Sequence, residues 1–412
     1  MNIYLIIILT AIAVDFILDV SSNWLNIKSL SKKLPEEFQE VYDEQTYAKS
    51  QEYTKVRTRF GFLTGIFDLI LLLGFWFSGG FNWLDQIVRS WGFGELVTGL
   101  FFIGILMIAK SVISLPFSVY STFVIEERFG FNKTTPKTFV LDLLKGLLLG
   151  ALIGLPLLAG ILAFFMYSGE LAWLYAWLAV TAFTLVMQYV APTWIMPLFN
   201  KFTPLEDGEL RTAIEEYTEK VSFPLQGLFV IDGSKRSSKS NAFFTGFGKN
   251  KRVALYDTLI ENHTIPELVA VLAHEIGHYK KKHIIKGMVI SILHTGVLFF
   301  LLSFFLSEEG LYDAFYMEQM SVYTGLIFFG MLYSPIEMIL SIFMQMSSRK
   351  HEYEADEFAA KTTGKPGDMI STLKKLSKDN LSNLTPHSFY VFLNYSHPPV
   401  LQRIKAIREI NE

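Results

Sequence analysis

Residues Leu143–Tyr167 read LLKGLLLGALIGLPLLAGILAFFMY, a run with one charged residue, Lys145. A helix needs about 20 apolar residues to cross the hydrocarbon core of a bilayer. Bilayer hydrocarbon offers no partner to a backbone N–H or C=O, so a run of this kind closes its own hydrogen bonds as a helix. Outward from it lie six further candidate spans: Ile3–Ile17, Gly61–Gly79, Leu96–Pro116, Leu171–Val190, Gly287–Leu306 and Ser321–Gln345. The first contains Asp15 and is followed by Asp19. It lacks a basic segment before it and a small-residue cleavage pattern after it, so it reads as a span and not as a signal peptide. The composition agrees: 51% of residues are hydrophobic, 15% aromatic and only 18% charged, against roughly 25% charged in a soluble domain.

Positive charge sorts the loops. The first loop carries Lys28, Lys32, Lys33, Lys49, Lys55, Arg57 and Arg59, the second only Arg89, and the third Arg128, Lys133 and Lys137. The loop 307–320 has no base, whereas 200–286 and the tail after Gln345 are rich in Lys and Arg. The positive-inside rule therefore puts the odd loops and the C-terminus in the cytoplasm and the N-terminus outside. Lys280-Lys281-Lys282 flanks the sixth span and reads as such an anchor. The chain divides into a five-span region at 1–199, a polar region at 200–286, spans six and seven at 287–345, and a second polar region at 346–412. Both polar regions fall on one side and can meet. A net charge of −3 gives no sign of a nucleic-acid partner, and the absence of cysteine excludes disulfides, thiolate metal sites and a cysteine nucleophile.

Within 200–286, Leu228–Ile231 reads as a short strand, and Ala242–Phe247 with Arg252–Tyr256 as a hairpin about Gly248-Lys249-Asn250. Thr264-Ile265-Pro266-Glu267 has the spacing of a capping box that opens a helix. That helix runs into His274-Glu275-Ile276-Gly277-His278, the H-E-x-x-H pattern. Residues i and i+4 share a helix face, so both imidazoles reach one zinc ion, and Glu275 stands beside it to take a proton from water. A third protein ligand leaves the fourth position free for catalysis. The candidate is Glu352, with Asp356 one turn on to accept a hydrogen bond from the second nitrogen of a metal histidine, His274. By spacing, His351 and Glu354 compete with Glu352.

These motifs together resemble the integral-membrane CAAX prenyl proteases, the Ste24-type gluzincins of family M48. The resemblance rests on Tyr47-Ala-Lys, Arg59-Phe60-Gly61, Glu127-Arg128-Phe129-Gly130-Phe131-Asn132-Lys133, Pro197-Leu198-Phe199-Asn200-Lys201-Phe202-Thr203-Pro204-Leu205, Ser240-Asn241-Ala242-Phe243, the H-E-x-x-H helix, the Glu352…Asp356 segment and Ser396-His397-Pro398-Pro399. It implies an all-α barrel of seven spanning helices around a large hydrated chamber, with the zinc site and its small hairpin at the cytoplasmic end. It selects Glu352 as third ligand to a single zinc ion and sets Glu354 aside. It implies a place near substrate for Asn241, and oxyanion stabilisation for His397 and Arg403. The edge strand with Ala242, Phe243 and Phe244 would take an extended peptide. The polar groups inside spans, Asp15, Asp68, Lys110, Gln188, His294 and Glu337, would line the chamber, with His294 structural.

The expected activity is a zinc endopeptidase that cuts near the C-terminus of lipidated or membrane-associated peptides. The partners are peptide substrate and membrane lipid, and the chain is expected to be a monomer. A bacterial inner membrane is favoured by the absent cysteine and compact loops, with the endoplasmic reticulum as the eukaryotic counterpart. The rivals are an HtpX-like quality-control protease, which has fewer spans, a transporter or channel, and a catalytically silent scaffold.

Overall fold

A computed structural model describes residues 2–245 and 252–410, with backbone alone for 243–245. Among the described residues, seven helices are long and apolar enough to cross a membrane: Ile3–Lys28, Glu44–Phe77, Glu95–Glu126, Pro136–Tyr167, Gly169–Phe199, His283–Phe305 and Val322–Thr363. Each overlaps one of the apolar runs to within two residues of its ends or covers it whole, and most extend well beyond it. Hydropathy ends where a helix leaves hydrocarbon, whereas the backbone ladder ends only where a cap or turn stops it. The last helix shows this most clearly. Its 42 residues continue without a break through the boundary at 345/346 and end at Gly364, in the left-handed conformation with φ 68°.

The third, fourth and fifth spans each contain a π-helical segment, at Ser121–Glu126, Gly150–Gly154 and Ala191–Ile195. Pro156 and Pro197 have no N–H to offer the carbonyls of Leu152 and Thr193 four residues back. Both carbonyls lie inside π segments, where the ladder widens to re-pair.

The spans are thinly packed. Only 6% of the apolar window is buried in the second and fourth spans, and 22% in the third, the highest value. A close-packed bundle would bury the whole inward stripe of each helix. The seven spans form a ring and cover one another only in part. A cavity of about 650 Å³ lies between the first and last spans, lined in part by Asp15, Leu72, Ser334, Glu337 and Ser341. His294 Nε2 lies 3.1 Å from the Tyr333 hydroxyl and 3.3 Å from Glu337, joining the sixth and seventh spans. Lys110 pairs with Asp68 between the third and second.

One end of the ring is closed by an aromatic core. Trp76 and Phe315 stack at 4.3 Å between centroids and Phe315 and Phe328 at 3.9 Å, with Ile8, Phe81 and Phe102 around them. Buried Asp85 is held there by Arg89 at 2.7 Å and by the Tyr323 hydroxyl. Gly99 permits this closure, since a Cβ there would lie 2.8 Å from the Tyr323 ring.

The opposite end carries a second core and, among the described residues, a four-stranded sheet in the order β1-β2-β4-β3. The strands are β1 (Phe202–Pro204), β2 (Gly227–Ile231), β3 (Ala242–Thr245) and β4 (Arg252–Tyr256). β3 and β4 pair antiparallel with Ala242 opposite Leu255, and β2 and β4 run parallel. The expected hairpin is thus half of a mixed sheet. Its turn at Gly248-Lys249-Asn250, the end of its first strand at Gly246 and Phe247, and the side chains of Phe243 and Phe244 lie outside the described residues. β1 is a strand that hydropathy does not reveal, being three residues long and ending in Pro204. Two ion pairs tie this region to the spans. Arg236 forks onto Asp142 at 2.7 and 2.8 Å, and Lys239 meets both Glu126 and the Tyr53 hydroxyl at 2.8 Å.

Candidate active site

The helix Ile265–Lys280 opens with the expected capping box. Thr264 N–H donates to Glu267 at 2.8 Å, and Glu267 is held further by Ser371 at 2.6 Å and Lys375 at 2.7 Å. Burial works against the charge of Glu267, but these donors outweigh it and bring its pKa down to about 2. Leu268, Leu272, Ala273 and Ile276 bury one face of the helix in the second core. Gly277 lets it press against the end of the last-span helix. A Cβ at this glycine would stand 3.0 Å from Ala355 Cα, 3.1 Å from its carbonyl oxygen and 3.2 Å from Phe358 Cβ.

That approach brings His274, His278 and Glu352 together, with one ligand atom from each within 4.8 Å of the others. His274 Nε2 and His278 Nε2 are 3.1 Å apart; Glu352 oxygens lie 3.5 Å from the first and 3.2 Å from the second. Ligands at zinc distances of about 2.0–2.1 Å in a tetrahedron stand about 3.3 Å from one another. Glu352 Oε2 is buried without a hydrogen bond. His274 is buried, yet Asp356 and Glu352 outweigh that burial and push its pKa up to about 9, so the pocket favours positive charge at this point. Two imidazoles and a carboxylate are a zinc donor set. The residues fit the ion.

Asp356 is 1% exposed and its Oδ1 lies 2.9 Å from His274 Nδ1, the nitrogen facing away from the cluster. Arg403 forks onto Asp356 at 2.8 and 2.7 Å and sets its third nitrogen 3.2 Å from Glu352. Its guanidinium is thus committed to two carboxylates behind the cluster. Arg403 also borders the cavity lined by Glu275 and His397. His397 stands on the open side, with Nε2 3.4 Å from Glu352 and Nδ1 2.9 Å from the Ser396 hydroxyl. Burial lowers its pKa, which keeps the ring neutral. Burial raises the pKa of Glu275, against the pull of the two histidines, and a stronger base results.

Glu275, His274, Glu352, His397, Asn241 and Ala242 border one cavity of about 450 Å³. Asn241 is exposed, its side-chain oxygen accepting from Ala242 N–H at 2.9 Å. β3 is the outer strand, and among the described residues no strand pairs with its free edge. His351 and Glu354 are not in the cluster; they flank His283, a residue that sequence reasoning passed over. The available signal was a histidine five residues after the motif.

Comparison with known proteins gives two family matches. A family described as "CAAX prenyl protease N-terminal, five membrane helices" matches residues 23–201, and "Peptidase family M48" matches 204–411. "Probable CAAX prenyl protease 1" of Schizosaccharomyces pombe is 38% identical, over 92% of this chain and 82% of its own. "CAAX prenyl protease 1 homolog" of Mus musculus is 34% identical, over 94% and 91%. The crystal structure of S. mikatae Ste24p superposes with a TM-score of 0.91 at 34% identity, covering 99% of both chains.

Proposed function

We propose a substrate and a division of labour for this chain, which belongs to peptidase family M48 and is a membrane-embedded zinc metallopeptidase. The substrate is a peptide or protein with a prenylated C-terminal segment, cut near its C-terminus. Relatives named CAAX prenyl proteases support this, as do seven helices able to cross a membrane in the chain that carries the catalytic cavity. The observation that carries the reading is the meeting of His274, His278 and Glu352 beside Glu275, next to a free strand edge.

His274 and His278, through Nε2, and Glu352 would hold one zinc ion, which when bound supplies Lewis acidity to the scissile carbonyl and acidity to a water. The peptide lies extended along β3 and exchanges main-chain hydrogen bonds with it. Asn241, at the start of that edge, borders the substrate. Glu275 takes a proton from the attacking water as its oxygen bonds to the carbonyl carbon. Glu275 then gives that proton to the amine as the C–N bond breaks. With the Ser396 hydroxyl, 2.9 Å away, donating to His397 Nδ1, the imidazole proton would sit on Nε2. From there it is offered to the developing oxyanion. Asp356 fixes the orientation of His274, and Arg403 fixes Asp356 and Glu352.

The basic loops support a cytoplasmic site, and the compact loops support a bacterial inner membrane, with the endoplasmic reticulum as the eukaryotic counterpart. The chain works as a monomer. The test is cleavage of a farnesylated CAAX peptide and its unlipidated twin by the protein in bilayers, with and without chelator. The lipidated peptide should be cut and chelator should stop it. Equal cleavage of both peptides would remove the prenyl requirement, and cleavage of neither would remove the substrate.

A further inference from the structure

The two imidazoles of the metal cluster are backed differently. Behind His274 stands a carboxylate, Asp356. Behind His278 stands another imidazole: His278 Nδ1 and His283 Nδ1 are 3.0 Å apart. Two ring nitrogens at that distance need one proton between them, one donating and the other accepting. His278 Nε2 faces His274 and Glu352, so with the metal on that nitrogen the proton sits on Nδ1 and is donated to His283. His283, accepting at Nδ1, carries its own proton on Nε2, and that nitrogen lies 2.9 Å from Glu354 Oε2. One proton arrangement satisfies the whole chain, from His278 to His283 to Glu354.

The fold goes to some length to make this contact. Lys282 adopts φ 60° and ψ 30°, the left-handed conformation that a side-chain-bearing residue resists. The turn breaks the helix after Lys280 and sets His283, 5% exposed, at the head of the sixth span against the ring of His278. The His351 ring then stacks on His283 at 3.9 Å and 9°, fixing its plane. His351 and Glu354, which spacing alone offered as metal ligands, both act on His283 instead.

We propose that His283 is a positioning residue for the metal centre, a neutral imidazole that accepts the Nδ1 proton of His278 and is held in that tautomer by Glu354. The proposal rests on His278 being a ligand through Nε2. Support of this kind behind a metal histidine is worth about 10–100-fold in metal affinity.

The test is chelator titration of the zinc-loaded, full-length protein, with the visible spectrum of the cobalt-substituted form as second readout. Wild-type protein that takes up no zinc would overturn the ligand assignment itself, and that failure is separate from failure of this proposal. With wild type loaded, His283→Leu should release zinc about 10–100-fold more readily and displace the cobalt bands. His283→Asn, whose amide oxygen falls where Nδ1 was, should restore both to within about threefold. A His283→Leu curve that overlays wild type overturns the proposal. So does a His283→Asn variant as weak as His283→Leu, because the role would then be packing. If His283→Leu does not fold, Glu354→Leu decides: weaker zinc retention supports the relay, and an unchanged curve overturns it.

Discussion

At the scale of single residues, function and support are separable. Glu275 touches the cavity but ligates nothing in the cluster. Glu275→Gln should therefore keep zinc content at the wild-type level while peptide cleavage falls by about 10²–10⁴-fold, measured by metal analysis and by initial rates. Arg403 borders the same cavity but is tied to the carboxylates around the cluster. It is 9% exposed and neutralises two buried carboxylates. Arg403→Met should cost about 3–5 kcal/mol in stability, because Asp356 is left buried and uncompensated, and zinc retention should fall with it. Thermal unfolding of the chelated and loaded protein checks both. The sequence made the H-E-x-x-H pair legible because five residues on a helix have only one geometry. Arg403 is 51 positions beyond Glu352, and nothing local to it records the carboxylates it meets. Resemblance placed it in the site, but its fork onto Asp356 emerged only from the packed chain.

At the scale of elements, the site is a junction of two helices, and its tolerance is set where they touch. Gly277→Ala adds a methyl 3.0 Å from Ala355 Cα, against backbone that cannot swing aside. Overpacking of this kind costs about 1–3 kcal/mol. It also moves Glu352, three residues before Ala355, relative to the histidines. The expected result is a lower unfolding temperature together with looser zinc binding. The capping box gives a pH signature. Glu267 has its pKa depressed from 4.5 to about 2 in the folded chain. Its contribution is thus fully present above about pH 4.5 and is lost as pH falls toward 2. The stability gap between wild type and Glu267→Gln should be widest near neutrality and close on acidification, as unfolding at a series of pH values would show. The capping box and the apolar runs were readable because each is a local pattern. The parallel pairing of β2 with β4, the short β1 and the uninterrupted last helix were not. Strand partners depend on distant residues, and a helix crosses a change in hydropathy without altering its hydrogen bonds.

At the scale of the whole molecule, the thin packing of the spans predicts water inside the ring. The chain contains no cysteine, so single substitutions report without background. Ser334→Cys and Ser341→Cys, on the lining of the 650 Å³ cavity, should react with a charged, membrane-impermeant thiol reagent in bilayer-embedded protein. Ile8→Cys, at a position with 0% exposure in the aromatic core, should stay unlabelled. Protection of all three would mean that lipid or side chains fill the interior. The span count was legible in hydropathy, whereas a hydrated chamber came only from the resemblance, since a helix facing water-filled space and one facing lipid differ by only a few polar residues. One further consequence comes from the helix Val322–Thr363. It carries Ser341 on the cavity wall and Glu352 at the metal cluster without a break. Eleven residues of α-helix separate the two by about 16 Å along its axis, at roughly 1.5 Å per residue. The helix is in effect a calibrated rod. A chain anchored in the cavity would meet Glu275 at a bond chosen by distance from its anchor, and selection by length would tolerate wide variation in the residues between.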